Sequence, residues 1–193
     1  MKQTLWTKNF TLVTVATALG AMGGIAGSFA LSFLVFDETG STLAAAFIIA
    51  IQLVPRFVLP LFFAPRMDRL PRKPFLVAGD LANGVIYALM GVYLLFFQFS
   101  YVGYLAVSLV LACLGSFDEL AYNSIYPKLI SEGMEQKGYA VSATLYPVLK
   151  VVMMPLSAVL FEWLGVARLL MLQGGLSVAA AVVESRIRLH EER

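Results

Sequence analysis

Charge is scarce in this chain. Asp, Glu, Lys and Arg make up 13% of it, about half of the roughly 25% found in soluble domains. Its single cysteine, Cys113, excludes an internal disulfide and any CxxC metal site. Its single histidine, His190, lies in a charged tail and reads as solvated. No Ser-His-Asp set, metal-ligand cluster or phosphate-cradling glycine loop is found, so neither an enzyme, a cofactor nor a metal is expected. A net charge of +2 is too small to point to nucleic acid.

Apolar residues are what the chain has in excess. They form 60% of the sequence, and mean hydropathy is +0.82. A soluble domain of 193 residues has no use for so much apolar surface, so the expectation is a multi-pass protein of the cell membrane with the lipid bilayer around it. The uncharged run from Asn9 to Phe36 is 28 residues long. Signal-peptide cores run to about 7–15, so this run reads as a retained first helix.

A membrane-spanning helix needs about 20 mostly apolar residues. Six segments meet that requirement, roughly 10–36, 42–64, 75–97, 100–122, 139–162 and 168–185. The third and fourth come from one charge-free stretch, Leu81 to Phe117, which turns at Gln98-Phe-Ser100. Continuous apolar runs favour helices, because barrel strands alternate in and out over about ten residues. The fold class expected is therefore an all-α membrane protein, a single six-helix domain spanning 1–193. With both termini cytoplasmic, eleven of the fourteen Lys and Arg fall on the inner side and only Arg168 on the outer. Arg56 and Lys150 lie within spans.

The loop between the second and third segments reads Ala64-Pro-Arg-Met-Asp-Arg-Leu-Pro-Arg-Lys73. Thr39-Gly40-Ser41 precedes the second segment, Pro55-Arg56 lies inside it, and Asp80-Leu81 follows the loop. Tyr126-Pro127-x-Leu129-Ile130 follows the fourth. From about residue 10 onward these features resemble the N-terminal half of a major facilitator superfamily transporter, in the macrolide-efflux and enterobactin-exporter-like branch. The loop resembles that family's Gly-x-x-x-Asp-Arg-x-Gly-Arg-Arg/Lys motif, with Ala64 and Pro71 at the two glycines. Two departures stand out. Leu111 occupies the place of the family's helix 4 arginine, and Met154-Pro155-Leu-Ser-Ala158 only partly matches the exporter signature Gly-Pro-x-x-Gly. The tail from Ser185 resembles the start of the family's central cytoplasmic loop.

The resemblance implies transport of a small solute, as export, by alternating access. It also implies a second six-helix half: a missing C-terminal half, a split partner or a second copy. By the same resemblance, Asp68 with Arg69, Arg72 and Lys73 form a cytoplasmic latch, whose basic members meet an acid at the end of helix 4, Asp118 or Glu119. The plainer reading of these charges is a solvated anchor on the cytoplasmic side.

Lys150 is the sharpest candidate read from the residues themselves. It falls near mid-span, where a lysine costs about 2.5–3.5 kcal/mol to insert. Tyr146, Lys150, Met153 and Ser157 recur at helical spacing as one stripe, expected to line a cavity for an anionic substrate or to meet an acid from a second half. A lysine that snorkels or packs in an interface is the bland alternative. Arg56 and Asp80 come to about equal depth on neighbouring segments and are expected to pair. Gly20, Gly23, Gly24 and Gly27 on the first segment, with Gln173, Gly174 and Gly175 on the sixth, read as close-packing positions. The runner-up function is a non-transporting membrane remnant, or an accessory subunit that packs against another protein.

Overall fold

The computed structural model describes residues 4–67 and 72–187, without the side chains of 64–67 and 72. Five helices account for nearly all of them: α1 Lys8–Thr39, α2 Thr42–Met67, α3 Arg72–Phe96, α4 Tyr101–Leu129 and α5 Glu135–Ser185. There is no strand among the described residues. All five are long and apolar enough to cross a membrane.

The count differs from the six expected, and the reason is local. The segments expected at 139–162 and 168–185 belong to one 51-residue element, α5, interrupted at Gly165. At 1.5 Å per residue such an element would be about 77 Å long if straight, more than twice a hydrocarbon core of about 30 Å. Gly165 takes φ 74° and ψ 170°, so α5 divides into two limbs, 135–164 and 166–185. That region of backbone space is open almost only to glycine. A Cβ at 165 would meet nothing within 4 Å, so any penalty is confined to the backbone. Gly165→Ala is expected to lower stability by about 1–3 kcal/mol. Thermal unfolding of the detergent-purified variant would check this, and an unchanged midpoint would refute it.

The other ends follow from capping. The Thr7 hydroxyl accepts from Phe10 N at 3.2 Å to start α1, and the Ser100 hydroxyl accepts from Gly103 N to start α4. Helix α1 runs past its apolar stretch to Thr39, taking in Asp37 and Glu38, because helical hydrogen bonding does not require apolar side chains. Helix α4 continues seven residues beyond the expected 122, since Ile125, Tyr126 and Leu129 are buried there.

Helix α5 packs most extensively, against α1 and α3, while α2 lies mainly on α4. Only 11% of the apolar window of α2 is buried against 44% for α1, so α2 is peripheral. Between α3 and the second limb of α5 the backbones nearly touch. A Cβ on Gly84 would lie 2.7 Å from the Gly174 carbonyl oxygen, and one on Gly174 would lie 2.6 Å from that of Gly84. Close approach of this kind is where small residues bring helices together.

Two apolar cores are stacked along the bundle. The larger includes Ala30, Leu31, Val35, Ile48, Tyr87, Leu111, Met153, Leu169 and Leu170. The smaller, at the end where α1 begins, gathers Phe10, Val13, Leu76, Ala121, Ile125, Tyr126, Leu129 and Ile187. Tyrosines tie the helices across these cores: the Tyr104 hydroxyl donates to the Met90 carbonyl at 3.0 Å, and the Tyr126 hydroxyl to that of Gly138 at 2.7 Å.

Candidate functional site

Ions sit at mid-helix in two places on the bundle surface. Arg56 lies fourteen residues into α2, at the centre of its apolar stretch. Its Nε lies 3.0 Å from Glu119 Oε2, and its second guanidinium nitrogen donates to Glu119 Oε1 at 3.1 Å. This two-pronged contact matches the planar guanidinium to the planar carboxylate. The side chains are 60% and 45% exposed, yet apolar residues such as Leu53, Phe57 and Phe62 surround Arg56 along the same exposed helix.

The expected Arg56–Asp80 pair is therefore not formed. Depth along a helix does not set which way a side chain points, and α2 packs on α4 rather than on α3. Arg56 meets Glu119 because that acid lies on the helix α2 actually touches.

The second place is Lys150, fifteen residues into the first limb of α5, or about 22 Å along its axis. It is exposed, as are Tyr146, Val148, Val151 and Val152 around it. The expected stripe thus divides along its length. Tyr146 and Lys150 are open, whereas Met153 is 3% exposed and Ser157 fully buried. Met153 and Ser157 are core residues here and do not line an open cavity. Helical spacing put all four on one face, but neighbouring helices cover only its later part.

Of the loop motif, Asp68, Arg69 and the Arg72 side chain lie outside the described residues. Lys73 donates to the Ser185 carbonyl at 2.8 Å, which pins the start of α3 to the end of α5. It does not reach Asp118 or Glu119 as expected: Glu119 is taken by Arg56, and Asp118 points inward.

Asp118 belongs to a layer that sequence reading missed. Between the two apolar cores each helical segment that reaches the centre contributes a polar residue. These are Thr17 on α1, Asp80 and Asn83 on α3, Asp118 on α4, Ser142 on the first limb of α5 and Glu184 on the second, with Tyr122 of α4 packed at the adjoining edge of the smaller core. Tyr122 interacts with the side chains of Thr17 and Ser142. Asp80, Asp118 and Glu184 lie within electrostatic reach of one another. The Asp118 carboxylate also fits beside Gly79, where a Cβ would be 3.0 Å from its Oδ1. Glu184 carried a visible signal, as the only acid in the otherwise uncharged stretch from Leu169 to Ser185. Asn83 follows Asp80 by three residues and so shares its face.

Chemically, the two regions differ. The surface ions offer a fixed cation and an ion pair on exposed apolar helices, suited to meeting a charged solute or a polar partner. The inner layer offers two buried acids, Asp80 and Glu184, and a half-buried one, Asp118, whose Oδ1 is shielded from solvent. Comparison with known proteins finds no match to any family model, any curated protein or any solved structure.

Proposed function

We propose that this chain is one six-crossing wall of a membrane passage for a small solute, working by alternating access as a half of a secondary transporter, with export as its direction. The two limbs of α5 cross the membrane separately, which restores six crossings and puts both termini on one side. The described cations Lys8, Lys73, Lys128, Lys137 and Arg186 collect at that end, which makes it the cytoplasmic one in the cell membrane. Arg168 stands at the opposite end.

The observation that carries this reading is the exposure of Lys150 and of the Arg56–Glu119 pair at mid-helix. Ionisable groups at that depth avoid lipid and face a water-filled cavity or another protein. A single bundle cannot enclose such a cavity, so the exposed ions call for a second half across from them. Tyr146 beside Lys150 adds an aromatic hydroxyl for a solute with an anionic group. The weaker reading, a non-transporting packing subunit, places a dry protein surface over the same residues.

Water access separates the two. Lys150→Cys in a Cys113→Ser background is expected to react with a membrane-impermeant maleimide in sealed vesicles, as a residue lining an aqueous passage does. Val151→Cys, on a neighbouring face, should stay unreacted. Equal silence at both positions would sink the transport reading.

A further inference from the structure

The buried acids raise a question that the surface site does not answer: what balances their charge. Asp80 is 9% exposed and Glu184 4%. Asp118 Oδ1, Glu184 Oε2 and Asn83 Oδ1 are shielded from solvent without a hydrogen-bond partner. Glu184 thus comes from a separate helical limb, more than nine-tenths buried and with an unpartnered oxygen, to within electrostatic reach of Asp80 and Asp118.

Among the described residues, the charged and titratable neighbours do not supply a counterion. On α3, Lys73 is held by the Ser185 carbonyl. On α4, Glu119 is paired outward with Arg56 of α2, and Tyr122 contributes only a hydroxyl. On α5, Arg186 is exposed, and Ser142 of the first limb is neutral, as is Thr17 of α1. The one ion pair among the described residues is Arg56–Glu119. An uncompensated buried carboxylate is among the costliest groups a protein can carry, and three together are worse. Nor do three described His, Cys, Asp or Glu side chains converge as metal ligands do. A hard cation takes about six or more oxygens around it. A proton needs only one oxygen, or two that share it.

We propose that Asp80, Asp118 and Glu184 form an internal site that reversibly binds protons. It joins α3, α4 and the second limb of α5 at a single layer, so loss of protons sets like charges against each other across those helices and loosens that packing. The binding stands independently of the transport reading. Its use as the driving ion for solute movement rests on that reading and would give this half a proton carrier.

Infrared difference spectroscopy of the full chain in lipid nanodiscs tests it through the carbonyl stretch of protonated carboxyl groups. Stepping pH up and down across the neutral range is expected to remove and restore such a band in the wild-type chain, with a downshift in heavy water. Asp80→Asn, Asp118→Asn and Glu184→Gln should each lower its amplitude and shift the titration of what is left, as coupled groups do. The triple variant should lose it. Absence of the band from the wild-type chain overturns the proposal even if no variant folds. Persistence in a folded triple variant overturns it too, as does a band that responds to sodium, potassium or magnesium at constant pH. A normal proton band together with no labelling of Lys150→Cys would uphold this site while ending the transport reading.

Discussion

Gly84→Leu is expected to leave little folded protein in the membrane fraction. The added side chain must start at a Cβ 2.7 Å from the Gly174 carbonyl oxygen and 2.8 Å from Val178 Cγ2. The first of these is backbone, so no rotamer change can relieve it. Inserting even a methylene or two into a packed interface costs about 1–3 kcal/mol. A leucine here pushes two whole helices apart and should exceed that range. The loss also reaches beyond the contact itself, because α5 packs extensively on both α1 and α3. Gly174→Leu should fail equally, being blocked by the Gly84 carbonyl and by Ala88. Gly175→Leu is the control: one residue on, its Cβ would meet nothing within 4 Å, and leucine is the better helix former. Monodispersity and melting temperature in detergent give the readout. Equal stability of the Gly84→Leu and Gly175→Leu variants would refute the close approach.

Reversing Arg56 to glutamate is expected to be nearly as damaging, and reversible by a second change. Arg56→Glu sets two carboxylates face to face where a two-pronged pair had been, at mid-helix on an apolar surface. A charge at the centre of a membrane helix costs roughly 2.5–3.5 kcal/mol to insert, and the pair lowers that cost for both members. The single variant should lose membrane-inserted protein by a large factor. Arg56→Glu with Glu119→Arg restores opposite charges and should recover most of it. Arg56→Lys should recover only part, since an ammonium cannot make both contacts at once. Quantitative blotting of membrane fractions checks all three. Failure of the double reversal to exceed either single variant would mean the contact does not hold α2 to α4. Asp80→Asn leaves this pair untouched and should not alter the outcome, which distinguishes Glu119 from the partner that equal depth had suggested.

How much of this was legible beforehand differs from residue to residue. Hydropathy placed α1 to α4 to within a few residues at most ends, because an apolar stretch of spanning length has few other fates. It stopped short at Asp37 and Glu38 and again at Tyr122, since it measures side chains while the helix is held by its backbone. A break between 162 and 168 was expected and Gly165 lies in it, but the sequence did not announce that the interruption would be a single residue at φ 74°. Of the glycines read as packing positions, Gly23, Gly27 and Gly174 do face another helix, whereas Gly20, Gly24 and Gly175 do not.

Composition and the order of residues were enough to establish an all-helical chain of long apolar rods and to single out Arg56, Lys150 and Asp80 as ions in costly places. Those are consequences of local hydrophobicity and of distance along one helix, which a linear sequence contains. Pairing Arg56 with Glu119, burying Met153 and Ser157 while leaving Lys150 open, and gathering Asp80, Asp118 and Glu184 into one layer were decided by tertiary structure alone. Each depends on which helices touch and how each is turned about its axis, and those angles are set by contacts between residues far apart in the chain.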